Sequence, residues 1–333
     1  MKVCVYGAGA VGGHVAARLA DAGHAEVSVV ARGAQLAAIR QRGLVLRNDA
    51  GEVWHAAINS ATDQPENLPP QDLVLVALKA TALPSHAQAL DRLLAPGGVA
   101  VFLNNGIPWW WTASQQGGGH ALPLLDPEGR LWNTLRPERA LGAVVYSSNE
   151  IELPGVVINR GSARNRFIFG APLPADAGQA AKLRQIVALF QDSGMPGEIA
   201  ADLRQTIWVK LLLNAAGNPV SALTRLGTLD RGQDAGLQQL SISVATEVAT
   251  IARAMGWTLP PEAVADAVSV GKAQNMRPSM LQDVLAGRPM EIEALLGQPQ
   301  QFAREHGIAT PAIDVLLPLL RGLDRGIQLA SAA

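Results

Sequence analysis

The sequence predicts an α/β protein in two parts, a parallel-sheet domain over residues 1–175 and an all-helical domain over residues 178–330. Three observations predict it. The chain opens with strand, glycine turn, helix and second strand. Apolar strand-like runs alternating with helical patterns continue to about residue 175. Past the linker-like stretch PLPADAG at 172–178, every apolar pattern has helical spacing.

Bulk composition narrows the function classes. With 333 residues, 48% of them hydrophobic, the chain has apolar material for two cores. The net charge is −1 and no basic run is present, which argues against a nucleic-acid or anionic-membrane partner. A single cysteine, Cys4, cannot form an internal disulfide, which fits a reducing cytoplasm. A first strand beginning at residue 2 leaves no room for a signal peptide, and no apolar stretch is long enough to span a bilayer.

The opening unit carries the first chemistry. KVCVY reads as a strand, and Gly7-Ala8-Gly9-Ala10-Val11-Gly12 follows it as G-x-G-x-x-G before a helix. Gly7 allows the tight turn, Gly9 lets a pyrophosphate approach the backbone, and Gly12 lets the helix pack against the sheet. The helix N-terminus then offers free N–H groups to phosphate. These features predict a Rossmann-type dinucleotide site. The second strand, EVSVVAR, ends in Arg32, where an NAD enzyme places Asp or Glu against the ribose 2′-hydroxyl. Arginine pairs with a 2′-phosphate in a planar fork, so the preferred cofactor is NADPH.

AQLAAIRQRG reads as a helix closed by Gly43, and LVLRN with EVWHAAI reads as a hairpin. TDQPENLPPQ reads as loop. DLVLVALKA, at 72–80, is a central parallel strand ending at Lys79. A helix over ALPSHAQALDRLLAP leads to the strand GGVAVFLNNG, which ends at Asn105. Ligands of open α/β sheets bind outside the carboxyl ends of strands, so Lys79, Asn105 and the glycine turn point to one rim. The irregular stretch from Ile107 holds Trp109, Trp110 and Trp111 and reads as a lid or substrate wall, or else as a hydrophobic plug or subunit contact. ALGAVVYSSNEI, GVVINRG and RFIFGAP are expected to finish the sheet.

In the helical half, Lys210, Asn214 and Asn218 are spaced i, i+4, i+8 and line one stripe, with Trp208, Leu212 and Ala215 roughly opposite. A lysine half-buried among apolar groups has a lowered pKa, which suits it to donate a proton near neutral pH. The plainer alternative is a lysine snorkelling to water beside two capping asparagines. In PSMLQD, Ser279 is an N-cap, a substrate-binding hydroxyl, or both. Glu291, in RPMEIEA, is a surface carboxylate or the partner of Lys210, and spacing does not decide. The six histidines and one cysteine show no metal-ligand spacing, so no metal site is expected.

The order GxGxxG, LKA, NG, WxKxxxNxxxNP, SMLQD and a glutamate twelve residues past the serine resembles the ketopantoate reductase family over nearly the whole chain. The resemblance implies a Rossmann domain that binds NADPH and a helical domain that closes over it, reducing ketopantoate to pantoate in pantothenate biosynthesis. It makes Lys210 the general acid and gives Glu291 the substrate hydroxyl and the lysine to orient. It places Lys79 and Asn105 along the nicotinamide and substrate cleft, and gives Asn214, Asn218 and Ser279 the substrate oxygens. The insertion NNGIPWWW departs from the family pattern and could line the pocket for another branched or aromatic 2-keto acid. A non-catalytic NADPH-binding protein is a further reading, against which Lys210 and Glu291 speak. A homodimer would pair through the tryptophan segment or the last helices.

Overall fold

The computed structural model describes residues 1–114, 118–269 and 275–332. The chain forms two compact units, one of Met1–Asn104 with Pro108–Leu203, the other of Asn105–Ile107 with Arg204–Ala333.

The first unit begins as the sequence predicts, with β1 (Lys2–Tyr6), α1 (Ala10–Ala22), β2 (Glu26–Val30) and α2 (Gly33–Arg42). A hairpin of β3 (Leu44–Asn48) and β4 (Val53–Ala56) follows. Next come β5 (Ser60–Thr62), which ends on the first residue of the stretch read as loop, then β6 (Gln71–Val76), α3 (Leu83–Leu93) and β7 (Leu94–Phe102). After the short α4 (Arg130–Thr134) the unit closes with β8 (Ala140–Tyr146), β9 (Ser148–Leu153), β10 (Val156–Arg160), β11 (Arg166–Gly170), α5 (Ala177–Asp192) and β12 (Gly197–Ile199). The residues at 172–178 thus connect β11 to α5 inside this unit.

Eight strands form one sheet in the order β12-β11-β8-β7-β6-β1-β2-β5. β1 pairs in parallel with β2 on one side and β6 on the other. The chain therefore winds outward through β2, returns across β1, and winds out again through β6, β7 and β8, which makes the end of β1 the topological switch point. Val3, Cys4, Val5 and Tyr6 are all buried, as a strand covered on both faces requires. Burial pushes the Cys4 thiol up to about 12, so it is a core residue and not a nucleophile.

One expectation is corrected and one open alternative is decided. β9 and β10 do not finish the main sheet; with β3 and β4 they form a second sheet, order β4-β3-β10-β9, whose β3–β10 pair is parallel. This sheet covers the glycine-turn helix. Gly13 of α1 faces Val157 so closely that a Cβ there would lie 2.8 Å from its methyl. His14 Nδ1 hydrogen-bonds Asn149 Oδ1 at 2.9 Å, and Asn159 Nδ2 donates to the same oxygen at 2.9 Å. Burial pushes His14 down to about 4, so the ring is neutral and its Nδ1–H donates. Second, Trp109, Trp110 and Trp111 are a plug, each at most 5% exposed. Trp109 stacks edge-on against Phe102, and Trp110 packs on Gly142 of β8, where a Cβ would meet its ring at 2.7 Å.

The second unit is helical: α6 (Leu203–Thr224), α7 (Thr228–Gln233), α8 (Ala235–Ala254), α9 (Ala263–Val268), α10 (Ser279–Leu285), a π-helical turn at Glu293–Gly297, α11 (Gln298–Glu305) and α12 (Pro311–Ala332). The helix expected after Pro260 is seen as α9; its predicted continuation through 270–274 lies outside the described residues. Glu247 of α8 accepts from the backbone N–H groups of Ala312 and Ile313 at 2.7 and 3.0 Å. A carboxylate there satisfies donors with no intrahelical partner and opposes the positive end of the helix dipole. Among the described residues, no helix is long and apolar enough to cross a membrane.

Candidate active site

In the first unit, the glycine turn has the shape its spacing requires. Gly7 adopts a φ of +105°, a backbone that side-chain-bearing residues rarely take. A Cβ on Gly12 would lie 1.9 Å from Gly7 O, so the first turn of α1 packs against the turn backbone itself. Around Gly9 there is open space, with no atom within 4 Å of an added Cβ. Gly9 is also the N-cap of α1 and has no side chain to occupy the first N–H groups. Open backbone, uncapped donors and the dipole's positive end together fit a pyrophosphate. Gln35, which the sequence reading missed, holds this turn: its Nε2 donates to Ala8 O at 2.8 Å and its Oε1 accepts from Gly155 N at 2.9 Å.

β2 stops at Val30, and Arg32 stands two residues on, exposed, as N-cap of α2. Its charge reaches Tyr6 and His86. Tyr6 Oη is 2.9 Å from His86 Nδ1, tying the last residue of β1 to α3. Burial, then the nearby Arg32 guanidinium, lower the His86 pKa and keep that ring neutral at physiological pH. Lys79 lies three residues beyond β6, half-buried, at the start of a 3₁₀ turn over Ala80–Ala82. Asn104 donates to Leu78 O and so pins the end of β7 to the end of β6.

In the second unit, α6 is buried almost all round. Trp208, Leu212 and Ala215 are fully buried, which fixes the helix and aims the Lys210, Asn214 and Asn218 stripe elsewhere. Asn214 and Asn218 are themselves buried, and buried amides require partners. Asn214 Nδ2 donates to Asn105 Oδ1 at 3.2 Å, and Asn105 Nδ2 donates to Glu291 Oε2 at 3.4 Å. The chain of amides therefore ends on a carboxylate, which only accepts when ionised. Asn218 Nδ2 points at Ser279 Oγ, 3.5 Å away. Ser279 is exposed and is the first residue of α10, whose N-cap is Pro278; the N-cap expectation for Ser279 is thus corrected, and its hydroxyl meets Asn218 instead. Lys210, one turn before Asn214, has its pKa lowered from 10.5 to about 8 by burial. Residues from three separate stretches, 105, 210–218 and 279–291, thus meet within one unit.

Residues 3–171 match the profile of ketopantoate reductase PanE/ApbA, and residues 202–324 match that of its C-terminal part. The chain belongs to the ketopantoate reductase family. Members of the family are dinucleotide-dependent oxidoreductases. The chain is 36% identical over 325 residues to a 2-dehydropantoate 2-reductase of Mesorhizobium japonicum, covering 97% of this chain and 98% of that one. A PanE/ApbA family ketopantoate reductase of known structure from Ralstonia eutropha superimposes with a TM-score of 0.82 at 29% identity, covering 98% and 100% of the two chains. A D-mandelate dehydrogenase solved with NADH and anilino(oxo)acetate shares the fold alone, at TM-score 0.84 and 22% identity over 98% of this chain and 100% of that one. That protein holds NADH, a dinucleotide without a 2′-phosphate.

Proposed function

We propose that this ketopantoate reductase family member reduces the 2-keto acid ketopantoate to pantoate with NADPH, in the cytoplasm, as a homodimer. The cofactor is assigned to the first unit, Met1–Asn104 with Pro108–Leu203, and the substrate to the second, Asn105–Ile107 with Arg204–Ala333. The observation that carries the proposal is the α6 stripe: a desolvated lysine with buried asparagines one and two turns on, which lead to Asn105, Glu291 and Ser279.

Gly7, Ala8, Gly9, Ala10, Val11 and Gly12 cradle the pyrophosphate, and Arg32 pairs with the 2′-phosphate. Lys79 and Asn105 bound the nicotinamide end. When bound, the reduced nicotinamide supplies hydride to the carbonyl carbon. The Lys210 ammonium opposes the negative charge that develops on the carbonyl oxygen and gives it a proton. Glu291 accepts the substrate hydroxyl and orients the lysine. Asn214, Asn218 and Ser279 hold the remaining oxygens. Because the three tryptophans are packed into the first unit, they do not argue for a larger acid.

A steady-state panel of ketopantoate, other branched 2-keto acids and an aromatic one tests the substrate. Ketopantoate should give the highest kcat/KM; faster turnover of another acid transfers the assignment to that acid. Arg32→Ala should raise the NADPH KM about tenfold to a hundredfold, as loss of a charge-assisted hydrogen bond does, and leave the NADH KM nearly unchanged. Equal effects on both cofactors would remove Arg32 from the phosphate site.

A further inference from the structure

Arg231 lies in α7 and is only 6% exposed. A guanidinium has five N–H donors, and when buried it is normally paired with a carboxylate. Among the described residues Arg231 makes one hydrogen bond, from Nη1 to Ala216 O at 3.4 Å, and no ion pair. Its Nε is sealed from solvent with no acceptor. Burial lowers its pKa, and no neighbouring carboxylate offsets the effect. A charge held in this way costs stability unless an anion reaches it from outside the chain.

Helix α6 shows where that anion would lie. A Cβ on Gly217 would be 2.6 Å from Arg231 Nη1, so the guanidinium rests on the bare backbone of Gly217. Gly217 is seven residues past Lys210 and three past Asn214, which puts it on their face of the helix. Ser221, four residues further along that face, is fully buried, and its hydroxyl has no partner. One face of α6 thus runs from the lysine, past an amide, to a buried cation and a hydroxyl that both lack acceptors.

We propose that Arg231 binds the carboxylate of the 2-keto acid, and that Gly217 is bare so that the guanidinium can reach the α6 stripe. The proposal rests on the reading of that stripe as the reductase's substrate site, and the charge balance there calls for such a group. The substrate is an anion before reaction begins, and its carbonyl oxygen gains charge as hydride arrives. Within this unit the groups assigned so far are one ammonium, Lys210, one carboxylate, Glu291, and neutral amides and a hydroxyl, so their charges cancel. Lys210 serves the carbonyl oxygen. Arg231 supplies the missing positive charge, in a planar fork that matches a carboxylate. Carbonyl and carboxylate are bonded neighbours in a 2-keto acid, as the lysine and the guanidinium are neighbours on one face, with Asn214 between them.

The test uses the acid that turns over fastest in the keto-acid panel, together with its uncharged methyl ester. Arg231→Gln should raise the KM for the acid about thirtyfold or more, as loss of one partner of a buried charge pair does, with a smaller change in kcat and an unaltered NADPH KM. Wild type should favour acid over ester, and Arg231→Gln should bring the two to similar kcat/KM by losing the acid alone. The free variant should melt at or above the wild-type temperature, because a desolvated charge has been removed. Gly217→Ala is an independent variant. Alanine is the better helix former, yet its methyl displaces the end of the Arg231 side chain, so the acid KM should rise and the ester KM should not. An active wild type whose acid KM is unmoved by Arg231→Gln, or variants that lose acid and ester equally, overturns Arg231 as the carboxylate anchor and leaves the reductase reading intact. A wild type that turns over no 2-keto acid removes both.

Discussion

Replacing Lys210 with methionine is expected to lower kcat for keto-acid reduction by about a hundredfold to ten-thousandfold, the usual contribution of a positioned general acid. The fold should not suffer. Burial lowers the lysine's pKa from 10.5 to about 8, so the native state binds this proton less tightly than the unfolded chain does. The sign follows: the charged lysine works against folding at every pH below about 8, and that cost is relieved as pH rises from about 8 toward 10.5. Removing the ammonium at pH 7 therefore should leave the melting temperature unchanged or slightly raised, which separates lost chemistry from lost structure. The same pKa sets the pH profile. In the reductive direction the acid must be protonated, so kcat/KM should hold below pH 8 and fall about tenfold per unit above it. In the oxidative direction the neutral amine is needed as base, and the limb should be reversed. Lys210→Arg keeps the positive charge but cannot release its proton in this range, so it should lose the alkaline limb along with most of the rate. A Lys210→Met enzyme with wild-type kcat removes the proposed acid.

Much of this was legible in the sequence, and the reason is locality. The turn from Gly7 to Gly12 is written in six consecutive residues, and strand, turn and helix form where those residues alone require them. The lysine–asparagine stripe is likewise a property of one helix, read from spacing. What escaped depends on partners far away in the chain. β9 and β10 are short strands like those of the main sheet, and only the pairing of Val156 with Val45, more than a hundred residues apart, assigns them to a second sheet. Three adjacent tryptophans have no periodicity that distinguishes a wall from a plug; the bare backbone of Gly142 under Trp110 and the ring of Phe102 beside Trp109 decide it. Ser279 precedes an apolar run as an N-cap does, yet Pro278 takes that position, since proline's fixed φ and missing N–H suit a helix start. Gln35 and His14 carried no signal, because an amide or an imidazole on a helix is ordinary until Ala8 and Gly155, or Asn149, are known to face it.

Two alanine substitutions in the glycine turn should separate packing from ligand approach. At Gly12 a methyl group would sit 1.9 Å from Gly7 O and 2.9 Å from the Ala77 side chain. Neither neighbour is the end of a flexible chain: one is backbone of a turn whose φ of +105° leaves little freedom, the other a short side chain just beyond β6. Helix α1 must then move off the sheet, although Val15, Ala16, Ala17 and Leu19 are all fully buried along its inner face. Overpacking of this kind costs about 1–3 kcal/mol and more where backbone must shift. Gly12→Ala should accordingly lower the melting temperature of the free protein and abolish dinucleotide binding. At Gly9 the same methyl would meet no protein atom within 4 Å, and the residue's φ of −71° suits alanine. Gly9→Ala should melt like the wild type in the absence of ligand. Its methyl would nevertheless occupy the approach to the uncapped N–H groups of α1, so NADPH should no longer raise the melting temperature, and a fluorescence titration should find affinity reduced at least tenfold, a loss of about 1.4 kcal/mol. Gly9→Ala with unaltered NADPH affinity would mean that the pyrophosphate does not lie on this helix end, whatever Gly12→Ala does to the fold.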